Sequence, residues 1–158
     1  MNPERTPKWG PTTNWWVFGG TPSASSHVMQ TLDGIHVLLV EDHSDSREVM
    51  KMVMEYQGAL VVPVPDANSA LAVLATLKPD VLVTDIAMPE KTGIELVAEA
   101  RNRGLLEGVP TLAVSAALSD KRAQPGTFDA YLQKPVDPTQ LCTTVQALAR
   151  RRRPPSQT

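Results

Sequence analysis

The sequence predicts an α/β fold, a doubly wound parallel sheet of five strands with helices on both faces. Three observations predict it. From Gly34 onward, short apolar runs alternate with stretches of helical periodicity, the pattern of a parallel sheet covered on both sides. The first run, Ile35–Val40, is almost continuously apolar, as a strand buried on both faces requires. Polar residues then stand where successive runs close: Glu41 and Asp42, Asp85, Ser115, and Lys134. The carboxyl ends of such strands converge on one crevice, where ligands bind.

Each element follows from local signals. The first helix is expected from about Asp45, whose spacing to Glu48 resembles a capping box. Val49, Val53 and Tyr56 share one of its faces, Met50, Met52 and Met54 divide between core and surface, and Gly58 supplies the stop. The second strand, Ala59–Val64, contains Pro63, which cannot donate to a ladder and so belongs at a sheet edge. A second helix is expected from about Asp66 to Leu77, with Ala70, Leu71, Leu74 and Leu77 inward. The third strand is Val81–Asp85, and the third helix opens at Thr92, which forms a capping box with Glu95. Strands at Thr111–Ser115 and Ala130–Gln133 follow. The last helix opens on Asp137-Pro138-Thr139-Gln140, an N-cap, a first-turn proline and a box glutamine, with Leu141, Val145 and Leu148 inward. Five strands with the second at an edge suit the flavodoxin-like order 2-1-3-4-5.

Composition narrows the class. A chain of 158 residues with 42% hydrophobic content suits one ordered domain. We divide it into an N-terminal extension at residues 1–33, rich in proline, glycine and serine, a domain at 34–150, and a basic, proline-containing tail at 151–158. The extension carries one apolar island, Trp15-Trp16-Val17-Phe18. No apolar run approaches the roughly 20 residues that span a bilayer, and the N-terminus does not read as a secretory signal. Cys142 has no cysteine to pair with, which fits a reducing cytoplasm. Net charge is −2, and four positive charges at Arg150–Arg153 leave the body acidic, against a nucleic-acid-binding role. Those arginines read as cations at a helix C-terminus, before Pro154-Pro155.

The strand-end residues suit a divalent cation and a phosphoryl group. Mg²⁺ takes oxygen ligands and commonly uses one or two carboxylates plus phosphate. Asp42 and Asp85 are candidate ligands, and Glu41 supplies further charge or holds a metal-bound water. Carboxylates also accept phosphoryl groups. Asp85 is the candidate nucleophile, Lys134 pairs with it and later with a phosphoryl oxygen, and Ser115 donates to another oxygen. His43, beside the acidic pair, is expected to be an exposed loop residue.

The segments VLLVEDHSDSREVM, DVLVTDIAMPEKTGIEL, PTLAVSA and FDAYLQKPVDP resemble the receiver domain of two-component response regulators across about residues 34–150. The resemblance implies that Asp85 takes a phosphoryl group from a phosphohistidine on a histidine kinase or histidine phosphotransfer protein. It also implies that Glu41, Asp42, Asp85 and the backbone carbonyl of Ala87 form the Mg²⁺ site. Ser115 matches the switch hydroxyl, Tyr131 the switch aromatic, and Lys134 the family lysine, with a cis bond to Pro135. The sequence departs from the family between Ser115 and Lys134. Only 18 residues intervene, fewer than is usual, and ALSDKRAQPGTF carries Pro125-Gly126 where the family has a helix.

The expected function is a stand-alone cytoplasmic phosphoacceptor that switches its affinity for a downstream protein. It would be no turnover enzyme beyond its own phosphorylation and slow dephosphorylation, with no DNA-binding output domain and no membrane insertion. The alternative is a protein-binding module that keeps the fold without phosphorylation. A phosphatase of the dehalogenase type would carry a second aspartate two residues after Asp85, where Ala87 stands.

Overall fold

The chain divides into two units, Met1–Gln30 and Thr31–Thr158. A computed structural model describes residues 31–116 and 126–152. Its elements in chain order are β1 (His36–Val40), α1 (Ser44–Tyr56), β2 (Leu60–Val64), α2 (Ala67–Leu74), β3 (Val81–Asp85), α3 (Gly93–Asn102), β4 (Thr111–Ser115), β5 (Ala130–Gln133) and α4 (Pro138–Arg152). All neighbouring strands pair in parallel, in the order β2-β1-β3-β4-β5. Pro63 sits on the edge strand, as its missing N–H demands.

The sheet is buried on both faces because its strands alternate between two cores. Val37, Leu39, Val81, Val83, Leu112 and Val114 point to one side, against Met50 and Met54 of α1 and Leu141, Val145 and Leu148 of α4. Leu38, Val40, Leu82 and Ala113 point to the other, against Ala70, Leu71 and Leu74 of α2 and Leu96, Val97 and Ala100 of α3. Side chains that alternate along a strand explain the split. Each fully buried Leu or Val contributes about 1.5–3 kcal/mol relative to exposure.

Caps follow the sequence in two helices and depart from it in α1. Asp66 accepts a hydrogen bond from Ser69 N at 2.7 Å, and Thr92 and Glu95 complete their reciprocal box. The expected Asp45–Glu48 box is not the start of α1: the N-cap is His43, without a side-chain capping bond. The inner face of α1 also differs. Val49 and Tyr56 are exposed at 59% and 78%, while Met50 and Met54 carry the core contacts. Of the face shared by Val49, Val53 and Tyr56, Val53 packs against the core. Helix α2 ends at Leu74 and closes in a turn in which the Thr76 and Leu77 N–H groups both donate to Val73 O, at 3.0 and 2.8 Å, and Leu77 is left partly exposed.

The fold also extends past the expected boundaries. Leu32 is fully buried in the α1/α4 core, and its N–H donates to Gln57 O at 2.9 Å. Helix α4 runs to Arg152, whose Nη1 donates to the buried Asp80 carboxylate at 3.3 Å. Most of ALSDKRAQPGTF, together with the Trp15–Phe18 island, lies outside the described residues. Among those residues, no helix is long and apolar enough to cross a membrane.

Candidate functional site

Sheet order and register bring the strand-end residues together. β1 and β3 are neighbours with Val40 opposite Thr84, so Glu41-Asp42 and Asp85 leave the sheet at the same end. This is the point where the chain switches from one side of β1 to the other, the place in an open α/β sheet where a crevice forms. Asp85 lies opposite Val114 and Ser115 opposite Gln133, which carries the row across β4 to Lys134. The Lys134 N–H donates to Ser115 O at 2.8 Å and fixes the chain as it leaves β5. The Lys134–Pro135 peptide is cis, as the resemblance implied.

Lys134 joins two carboxylates. Its Nζ donates to Glu41 Oε1 at 2.8 Å and to Asp85 Oδ2 at 3.2 Å, and both carboxylates are buried. Glu41 is held further: its Oε2 accepts from the His43 N–H at 3.2 Å, and its carbonyl accepts from Arg47 Nη1 at 2.8 Å. Thr84 Oγ1 donates to Asp85 O at 2.9 Å. Gly93, the first residue of α3, donates its N–H to Ile86 O at 2.8 Å, and a Cβ there would collide with the Asp85 carbonyl. Strand β3 and α3 therefore meet backbone to backbone.

Burial lifts the pKa of Asp85 above the usual carboxylate range, and the Glu41 charge pushes the same way, against the opposing Lys134 ammonium. Burial works against the charged form of Lys134, yet its hydrogen bond to Glu41 and the Asp85 charge outweigh it and raise its pKa. One ammonium thus serves a crowd of anions. Ligand atoms of Glu41, Asp42, His43 and Asp85 all lie within 4.8 Å of one another. Asp42 Oδ1 is buried and accepts no hydrogen bond. An orphaned carboxylate oxygen inside a carboxylate cluster is what a hard divalent cation would satisfy, so the donor set fits Mg²⁺.

Glu41, Asp42, Asp85 and Lys134 thus stand together at the strand ends. Ser115 is buried at the end of β4, beside β3. Tyr131 is 38% exposed on β5, and its ring meets Phe128 edge to face at 5.5 Å. Ala87 is exposed in the loop between β3 and α3. Sequence reasoning did not single out Arg47 or Gly93, because both act on backbone atoms that only the fold brings near. His43 had a signal, its place beside the acidic pair, and it proves exposed yet turned toward the carboxylates.

Comparisons with known proteins agree with this fold. Residues 37–146 match the family model described as response regulator receiver domain. An uncharacterized 14.6 kDa protein of Leptolyngbya boryana is 38% identical over 121 residues, covering 75% of this chain and 92% of that one. The probable transcriptional regulatory protein TcrX of Mycobacterium tuberculosis is 30% identical, covering 78% of this chain; the chain spans only 54% of TcrX. Among solved structures, the receiver domain of the Francisella response regulator 1452 superposes with a TM-score of 0.68 at 28% identity, covering 75% of this chain and 98% of that one.

Proposed function

The chain belongs to the response regulator receiver family of two-component signalling, and from that premise we propose that it takes a phosphoryl group onto Asp85. The observation that carries the reading is the buried Asp85 carboxylate, bound by Lys134 at 3.2 Å inside an acidic cluster with a vacant acceptor on Asp42. The module signals through its own modification and does not turn over a substrate.

The donor is a phosphohistidine on a histidine kinase or a histidine phosphotransfer protein. An Asp85 oxygen attacks phosphorus, an O–P bond forms, and the P–N bond breaks with its electron pair returning to the imidazole. Such transfer depends on positioning and on charge neutralisation. Lys134 holds Asp85 before attack and offers its ammonium to a phosphoryl oxygen afterwards. The Ser115 hydroxyl donates to a second oxygen, and Tyr131, already partly exposed on β5, changes position as Ser115 is drawn in. Glu41, Asp42, Asp85 and the Ala87 carbonyl would hold Mg²⁺, which would supply positive charge to the phosphoryl oxygens. The added charge shifts a two-state population and with it the affinity for a downstream protein.

Phosphoramidate, whose P–N bond imitates the donor, tests the reading. The full chain should take one phosphoryl group in Mg²⁺ and none after chelation, and Lys134→Ala should slow uptake at least tenfold, in the range of a lost charge-stabilising contact. Uptake that ignores both changes would refute it.

A further inference from the structure

The acidic pair is followed by a histidine whose side chain its own helix does not use. His43 occupies the N-cap of α1 but makes no side-chain capping bond. Its Nδ1 lies instead 3.4 Å from Glu41 Oε2 and 3.5 Å from Asp42 Oδ1. The Asp42 oxygen it faces is the one that is buried without a hydrogen-bond partner. With Asp85, these groups offer one nitrogen and three carboxylates around a common centre, all within 4.8 Å of one another.

We propose that His43 supplies a nitrogen ligand at this centre and tunes it toward transition-metal divalent cations of the Zn²⁺ and Ni²⁺ kind, in competition with Mg²⁺. The inference rests on reading Glu41, Asp42 and Asp85 as a cation site. Mg²⁺ is hard and takes oxygen ligands, and an imidazole adds little to its binding. Imidazole suits zinc, copper and nickel, and nitrogen–carboxylate sites favour those ions in the Irving–Williams order. Size permits it. Donors around a tetrahedral ion with bonds of roughly 2.1 Å stand about 3.4 Å apart, and His43 Nδ1 already lies 3.4 Å from Glu41 Oε2 and 3.5 Å from Asp42 Oδ1. The separations in the cluster reach up to 4.8 Å, so its widest pair closes by up to about 1.4 Å on binding. The His43 side chain is 72% exposed, so its ring has room to make that movement. The switch then responds to transition-metal supply as well as to its phosphodonor.

Calorimetric titration of the full chain with Mg²⁺ and with Zn²⁺, for wild type and His43→Ala, tests the proposal. His43→Ala should weaken Zn²⁺ binding at least tenfold, the scale on which metal sites respond to lost support. Mg²⁺ affinity should change by less than about twofold, because that ion gains little from nitrogen. Mg²⁺ should displace Zn²⁺ competitively, and Zn²⁺ should shift the imidazole ¹⁵N resonances that disappear in His43→Ala. Equal losses for both ions, no loss for Zn²⁺, or Zn²⁺ binding indifferent to Mg²⁺ would overturn the role of His43 while leaving the Mg²⁺ site standing. A wild type that binds neither ion would overturn the cation site itself, and this proposal with it.

Discussion

Replacing Gly93 by alanine probes how β3 and α3 hold Asp85. A Cβ at Gly93 would lie 3.1 Å from both the Asp85 carbonyl carbon and Ile86 Cα, with the Asp85 oxygen nearer still. An ordinary C···O contact is about 3.3–3.6 Å, so either α3 or the Asp85 peptide must shift by on the order of 1 Å. Overpacking of this kind costs about 1–3 kcal/mol, and misplacing a reacting group by that distance lowers a rate by about a hundredfold. Gly104, just past the other end of the same helix, is the control: its φ is +72°, and nothing lies within 4 Å of its Cβ position. Gly104→Ala should cost about 1–2 kcal/mol through backbone strain alone. Urea denaturation and Mg²⁺-dependent uptake of phosphate from a small acyl phosphate would be measured for both variants. Both should lose stability, and only Gly93→Ala should lose uptake. If Gly93→Ala takes up phosphate at the wild-type rate, or the two variants lose it equally, the backbone contact does not position Asp85.

Three further outcomes follow from the geometry. Lys134→Ala strands two buried carboxylates; breaking a buried pair costs about 3–5 kcal/mol, and the partial exposure of Lys134 lowers that to about 2 kcal/mol. Urea midpoints should show this loss, and Mg²⁺ at a hundred times its Kd should return up to about 2.7 kcal/mol. Asp66→Ala should cost about 1 kcal/mol at neutral pH through loss of the α2 cap. Because the Ser69 N–H holds the Asp66 pKa below its ordinary 3.8, that contribution is present above pH 3.8 and fades as pH falls through the folded value. Wild type and Asp66→Ala should therefore converge in strongly acidic urea titrations. Met54→Ala should cost about 2–5 kcal/mol and Met52→Ala within about 0.5 kcal/mol, a contrast that thermal or urea unfolding reads directly.

Four of the strands were legible as short apolar runs closed by a polar residue, and the three runs at Val81–Asp85, Thr111–Ser115 and Ala130–Gln133 match the observed strands residue for residue. Pro63 then identified the edge, and the order followed. The inner face of α1 was not legible in the same way. Val49, Val53 and Tyr56 keep helical spacing, but so do Met50 and Met54, and only packing against the sheet and α4 decides between them. Leu32 lay in a stretch without periodicity, yet it fills the base of that core. The convergence of Glu41, Asp42, Asp85 and Lys134 was readable because their side chains stand at strand ends. Their surroundings were unreadable where the fold uses backbone: Arg47 grips a carbonyl, and Gly93 matters for the atom it lacks.

The most direct test of the central claim is the intact mass of wild type and Asp85→Asn after incubation with a small acyl phosphate and Mg²⁺. We expect a single phosphoryl adduct on wild type that requires the cation, and none on Asp85→Asn. An adduct that persists in Asp85→Asn, or a folded, Mg²⁺-saturated wild type that stays unlabelled, would contradict Asp85 as the acceptor.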